Sequence, residues 1–97
     1  MKNLIISPEI EVKLIKKHGV RRIDIIQCFL NKEGSYLEDT RINNATIPPT
    51  LWFISETHQT IPLKIVFVFK DGNIYLKTAY PPNEHEIRIY NRIGKSL

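Results

Sequence analysis

The sequence predicts an α+β domain with two N-terminal helices, an antiparallel β-meander of three to four strands and a C-terminal helix. Three observations carry this expectation. Ser7-Pro8-Glu9 and Gly19 bracket an amphipathic stretch with helix-start and helix-stop chemistry. Two apolar runs, Leu51 to Ile54 and Pro62 to Phe69, precede an Asp71-Gly72 pair that suits a tight hairpin turn. Asn83 and Glu86 form the Asn-x-x-Glu version of a capping box just after Pro81-Pro82. With 97 residues the chain fits a single domain, 1–97, around one core.

Taken in order, Leu4-Ile5-Ile6 has the composition of a short first strand. Helix 1 follows from the Ser7 N-cap to about His18, with Ile10, Leu14 and Ile15 on one side and Lys13, Lys16 and Lys17 around the other. Helix 2, Arg21 to Leu30, repeats the pattern with Ile23, Ile26, Phe29 and Leu30 and ends before Asn31 and Gly34. Tyr36 to Ile42 reads as a strand, Asn43-Asn44-Ala45-Thr46 as a loop, and Pro48-Pro49 excludes helix. Leu51 to Ile54 and Pro62 to Phe69 are the next strands. The terminal helix is expected to dock Ile87, Tyr90 and Ile93 on the sheet, to carry His85, Arg88 and Arg92 on another side, and to end at Gly94.

A two-residue turn at Asp71-Gly72 also sets a register. Lys70 then faces Asn73, Val68 faces Tyr75, Val66 faces Lys77 and Lys64 faces Ala79 on one side of the sheet. The other side pairs Phe69 with Ile74, Phe67 with Leu76, Ile65 with Thr78 and Leu63 with Tyr80. This second set is core-like. Phe67, Phe69, Ile74 and Leu76 are therefore expected to be buried, with Lys64, Lys77 and Tyr75 accessible on the opposite face.

Composition narrows the function classes. Hydrophobic residues make up 42% and charged residues 25%, which is globular rather than disordered or fibrous. A single cysteine, Cys28, admits no disulfide within the chain, and no apolar run approaches the roughly 18 to 20 residues needed to span a bilayer. A cytoplasmic, bacterial, non-membrane protein is the expectation. The net charge of +4 is unevenly placed: Lys13, Lys16, Lys17, Arg21 and Arg22 crowd one segment, and Arg88, Arg92 and Lys95 another. Such clustering suits a polyanionic partner, although solvated helix faces look the same in sequence.

The sequence carries few recognisable catalytic or ligand-binding motifs. There is no phosphate-binding glycine loop, zinc-type Cys/His spacing, nucleophile elbow or triad, so neither a metal nor a cofactor is expected. His18, His58 and His85 read as capping, surface or packing residues rather than ligands, and Glu84 and Glu86 as carboxylates complementing a helix start. What remains is a basic sheet face, Lys64 and Lys77, with Tyr75 and also Trp52 and Tyr80 nearby, bordered by His85, Arg88 and Arg92. Cleavage of RNA by its own 2′-hydroxyl needs a proton acceptor, cations for the charged transition state, a proton donor for the leaving oxygen, and aromatics for base stacking. These residue types can supply all four, while a solvated lysine face with core aromatics is the plain alternative.

Lys17-His18-Gly19-Val20, followed by the helix carrying Phe29, resembles the Lys-His-Gly-Val turn near the start of the BrnT family of toxins, ribonucleases with a RelE-like fold from bacterial type II toxin-antitoxin modules. Leu51 to Ser55, Leu63 to Phe69, Asp71-Gly72, Thr78-Ala79, Glu86, Arg88 and Tyr90 are similar in order to that family's hairpin and its closing Ser-Ala-Arg, Glu, Arg, Tyr pattern. Tyr80 stands where the family carries arginine. Taken with the basic face, the resemblance implies metal-independent RNA cleavage, with Lys64, Lys77, His85 and Arg88 as candidate catalytic residues and Tyr75, Tyr80 and Arg92 as candidate RNA contacts, and inhibition by a small antitoxin in a hetero-oligomer or alongside a homodimer. The rival from the same residues is a non-catalytic module binding RNA or protein. The chain also looks like small bacterial proteins labelled ADP-ribosyl-(dinitrogen reductase) hydrolase, but the dispersed acidic motifs that hold two magnesium ions in the true hydrolases are not present in this sequence, which ranks an ADP-ribose-directed activity third.

Overall fold

The computed structural model describes residues 1–41 and 46–95 and is a mixed α+β fold. In chain order the elements are β1 (Leu4–Ile5), α1 (Pro8–His18), α2 (Arg22–Asn31), β2 (Leu37–Glu38), β3 (Thr50–Glu56), β4 (Pro62–Lys70), β5 (Asn73–Tyr80) and α3 (Glu84–Ile89), which runs on into a π turn, Tyr90–Gly94. Among the described residues the sheet has five strands in the order β1-β5-β4-β3-β2, not the three to four expected. Its two edges are short strands inside segments that read as strands in the sequence, Leu4–Ile5 and Leu37–Glu38. β1 lies parallel to β5, and β2 pairs antiparallel with β3 through Leu37 and Glu38.

Local chemistry explains where elements begin and stop. The Ser7 side chain accepts from the Ile10 N–H, and Gly19, at φ 63°, lets its own N–H and that of Val20 return to the Ile15 and Leu14 carbonyls. The expected strand Tyr36 to Ile42 shortens to β2 because Asp39 Oδ1 accepts from the Arg41 N–H at 3.1 Å, a side-chain turn that competes with the ladder. Its last residue, Ile42, and the Asn43-Asn44-Ala45 loop lie outside the described residues.

The core sits between α1, α2 and one sheet face. Leu14, Ile25, Cys28, Phe53, Ile65, Phe67, Leu76 and Ala79 are buried there, and the Phe29 ring lies 4.8 Å from Phe53 and 5.4 Å from Phe67. In α2 the buried side chains are Ile25 and Cys28, whereas Ile23 and Leu30, expected inside, are exposed. Apolar residues surround that helix, so its period alone did not select the face that meets β3 and β4. Ile15 and Ile93 are likewise about half exposed. Burial pushes the Cys28 thiol up to about 12, with Asp24 and Glu56 adding to the shift, which leaves it an inert core group.

The hairpin is the element that positions the site. Asp71 and Gly72 have φ of 52° and 79°, the type I′ turn expected, and Lys70–Asn73, Phe69–Ile74, Val68–Tyr75 and Phe67–Leu76 pair as expected. Phe69, one pair from the turn, is nonetheless exposed. Beyond Phe67 a β-bulge intervenes. Val66 pairs with Thr78, Ile65 with Ala79 and Lys64 with Tyr80, so Lys77 is the extra residue. The expected pairings of Lys64 with Ala79 and Leu63 with Tyr80 are thereby replaced, and Tyr80 moves from the core face to the face of Lys64.

The opposite sheet face receives α3. Asn83 Oδ1 accepts from the Glu86 N–H at 2.8 Å and Glu86 Oε1 accepts from the Asn83 N–H at 3.0 Å, closing the capping box. Tyr90, 1% exposed, anchors the π turn by packing on Trp52 and donating its hydroxyl to the Ser35 carbonyl. A Cβ on Gly94 would come 2.5 Å from that ring, so the close approach requires glycine. No helix among the described residues is long and apolar enough to cross a membrane.

Candidate functional site

The site is built on one carboxylate. Glu86 Oε1 is used by the cap of α3, which aims Oε2 at the sheet, where it accepts from Lys64 Nζ at 2.7 Å and from the Tyr80 hydroxyl at 2.8 Å. Both donors arrive on that face because the bulge brings Tyr80 opposite Lys64. Lys64 Nζ also lies 4.5 Å from the Trp52 ring centroid and 5.7 Å from that of Tyr80. Lys64 is 8% exposed, so the expectation of an accessible lysine is corrected: it is a buried cation paired with a nearly buried anion. Its stem lies under α3, and its charge is tolerated because Glu86 and two aromatic faces replace water.

These contacts set the charge states. Burial pushes the Glu86 carboxyl up, but the hydrogen bonds from Lys64, the Asn83 N–H and Tyr80, with the Lys64 charge, outweigh it and hold the group below its ordinary value. Glu86 is thus a carboxylate at neutral pH. Tyr80 moves the other way, raised by burial and by donating to Glu86 against the opposing pull of Lys64. It stays a phenol.

A second ion pair stands beside the first. Arg41 donates to Asp39 from Nε at 3.0 Å and from its terminal nitrogen at 2.8 Å, a bidentate fork. The Asp39 carboxyl is lowered chiefly by that hydrogen bond, with Lys64 contributing charge and burial opposing. Lys77, presented by the bulge, is exposed and donates to the buried Thr50 hydroxyl at 3.3 Å. Among the described residues no carboxylate pairs with it. Asp39, Arg41, Lys64, Lys77, Thr78 and Tyr80 line a groove of about 210 Å³ floored by Thr50, Trp52 and Val66. An adjoining cavity of about 700 Å³ shares Asp39, Arg41, Trp52 and Lys64 and reaches His85 on α3.

Of the residues singled out in sequence, Lys64, Lys77, Tyr80 and His85 come together here. Arg88 and Arg92 do not. Arg88 points to Glu84 at 3.4 Å on the outer side of α3, Arg92 is exposed, and neither lines the two cavities. Tyr75 shares the sheet face opposite Val68 but also lies outside both. His18, from the Lys17-His18-Gly19-Val20 turn, brings its ring to 6.1 Å from Tyr80. His58 pins a loop near Asn31 at 3.0 Å, beside a separate cavity of about 680 Å³.

Sequence reasoning missed Glu86, Asp39 and Arg41 as parts of the site. Glu86 carried the wrong signal, since a capping carboxylate explains one oxygen and hides the other. Asp39 and Arg41 fall within the segment that reads as a strand, Tyr36 to Ile42, and nothing local points them at the sheet. Among the described residues there is no group of three or more His, Cys, Asp or Glu side chains arranged to hold a metal ion. Compared with known families and curated proteins, the chain matches no family model and no curated protein.

Proposed function

We propose that this chain is a metal-independent endoribonuclease acting at the groove between the sheet and α3, in the manner of a RelE-like toxin of a bacterial toxin-antitoxin module. The observation that supports it best is the convergence of Lys64, Tyr80, Lys77 and Arg41 in one groove, where Glu86 holds Lys64 and Tyr80. In the reaction, the 2′-oxygen of one nucleotide attacks its own phosphorus and the bond to the 5′-oxygen of the next breaks. A 2′,3′-cyclic phosphate results. The 2′ proton passes to a base and the leaving oxygen receives one from an acid. Lys77 and Arg41 neutralise the phosphoryl oxygens as charge accumulates, and His85, in the adjoining cavity, is the side-chain type suited to exchange the proton. Glu86 is a positioning residue in this scheme, holding Lys64 and Tyr80 against the substrate phosphate. A small cytoplasmic antitoxin covering the Lys77 side would silence the groove.

A non-catalytic RNA-binding module is the second reading, and the pairing of Lys64 with Glu86 favours it by removing one cation from the groove's balance. One experiment separates the two. Purified protein is incubated with single-stranded RNA in the presence of a chelator. Cleavage to cyclic-phosphate ends, blocked by a 2′-deoxy substitution at the scissile nucleotide, is expected. Binding without cleavage would sink the enzyme and leave the module. In either case the log–log dependence of affinity on salt should flatten by about 0.7 in Lys77→Ala, the value for one phosphate contact on a single strand. Lys64→Ala should change it less, because Lys64 already has a counter-ion.

A further inference from the structure

Next to the cationic groove, the larger cavity has a different character. Leu37, Trp52, Ile89 and Ile93 supply its apolar wall, and the rest of the lining is polar and includes the carboxylates of Glu38, Asp39 and Glu86 beside His85. Leu37 stands beside Trp52 because the two pair across β2 and β3, and Ile89 and Ile93 come from α3 and its π turn. At about 700 Å³ it falls in the range of small-molecule sites, which are apolar chambers with a few fixed polar groups. It is not isolated. Trp52, Lys64, Asp39 and Arg41 line both cavities, so the apolar chamber and the Lys77–Thr50–Thr78 groove form one continuous depression.

The geometry points to this depression as a subsite for one unpaired purine nucleotide, phosphate at the Lys77 end and base in the Leu37–Ile89–Ile93 chamber. This rests on the ribonucleolytic reading and adds to it which nucleotide is held and in what state. The two ends differ as the two ends of a nucleotide differ: at one stand the Thr50 and Thr78 hydroxyls and Lys77, which no carboxylate pairs among the described residues, and at the other the apolar wall of Leu37, Ile89 and Ile93 with hydrogen-bonding groups around it. A base inside the chamber has left any helical stack, so the site selects single strands and splayed loops. The two-ring base buries more apolar area against Leu37, Ile89 and Ile93 than a pyrimidine does, and the preference follows from that area. Asp39 and His85 at the rim meet the base edge with an acceptor and a ring nitrogen.

Trp52 is the sole tryptophan of the chain and lines both cavities, so its fluorescence reports binding directly. Full-length protein is titrated with AMP, GMP, CMP, UMP and inorganic phosphate. The purine monophosphates should bind about tenfold more tightly than the pyrimidine ones, and inorganic phosphate more weakly than any of the four. Ile93→Asp, at a position already half exposed and so tolerable to the fold, should weaken AMP binding by about tenfold and leave phosphate binding unchanged. Lys77→Ala should weaken both. Equal affinity for AMP and inorganic phosphate, or an Ile93→Asp variant that binds AMP as the wild type does, overturns the subsite. Cleavage of RNA with no purine at the sites of cutting also counts against it while leaving the ribonuclease standing. Tight AMP binding by a protein that leaves RNA intact upholds the subsite and removes the ribonuclease.

Discussion

The two faces of the central sheet are buried to different depths and held by different physics. Toward α1 and α2, Phe53, Ile65 and Phe67 are at most 1% exposed, and the two phenylalanines interlock with Phe29 and Tyr36 through ring contacts of 4.8 to 5.5 Å. Toward α3, Lys64 is 8% exposed and is enclosed by Glu86, Tyr80 and Trp52. Apolar packing is non-directional, so loss on the first face scales with volume removed. The second face depends on completeness, because removing any member of the network leaves its partner dehydrated and unpaired. One face can thus be repacked without loss of purpose, whereas apolar repacking of the other would give up the charge that its network gathers beside the groove.

Truncation should expose the difference. Phe67→Ala is expected to cost about 3–5 kcal/mol in urea denaturation, the cavity penalty for a large core aromatic. Lys64→Ala should come next, about 2–3 kcal/mol, somewhat below the full cost of stranding a buried charge because Glu86 retains some solvent access. The double variant Lys64→Met, Glu86→Leu should recover most of that second loss, since a buried ion pair replaced by matched apolar groups is close to neutral. No double variant of this kind can rescue Phe67→Ala. If Lys64→Ala proved as harmless as a surface change, the contrast between the faces would be wrong.

How much of this was readable from residues depends on range. The Asp71-Gly72 turn, the Ser7 and Asn83 caps and the strand pairings next to the turn are set within a few residues and appear as expected. The register beyond Phe67 was not readable, because a bulge is decided by what packs on both faces, and no residue of Leu76-Lys77-Thr78 announces it. That single extra residue carries the whole correction at Tyr80, which leaves Leu63 and joins Lys64 and Glu86. Arg41 and Asp39 were invisible for a related reason: their placement over Lys64 depends on β2 pairing with β3 through two residues. Lys77 and His85 were legible because charge patterning on a strand and a helix survives small errors of register.

Acid provides a gentler test of the same contrast. Glu86 and Asp39 have folded-state values below those of the unfolded chain, so the stability they contribute is complete above the ordinary carboxylate range near about 4 and is lost as pH falls through that range toward the depressed values. Glu86→Gln should therefore give a flatter stability curve between neutral and acid pH than the wild type, and Asp39→Asn should flatten it further. Phe67→Ala, acting on the uncharged face, should lower the curve without changing its shape. Parallel curves for wild type and Glu86→Gln would remove the polar face's claim to a linked charge state. Tyr80→Phe deletes only the hydroxyl that donates to Glu86 and should cost about 1 kcal/mol, while the rate of RNA cleavage falls by far more than that loss explains.

The smallest effect is expected at Arg88, and it bears on where the polar face ends. Its guanidinium meets Glu84 at 3.4 Å with side-chain exposures of 77% and 87%, a pair of the kind that contributes little in water. It lines neither cavity, and α3 separates it from Lys64 and Tyr80. Arg88→Ala should accordingly shift stability by less than about 0.5 kcal/mol and leave the cleavage rate and nucleotide affinity unchanged, with any loss confined to long RNA at low salt. The family resemblance, by contrast, makes Arg88 catalytic. A large fall in cleavage with stability and mononucleotide binding intact would mean that substrate crosses α3 onto its outer side, and the boundary between a working groove and a solvated helix face would have to be redrawn around Arg88 and Arg92.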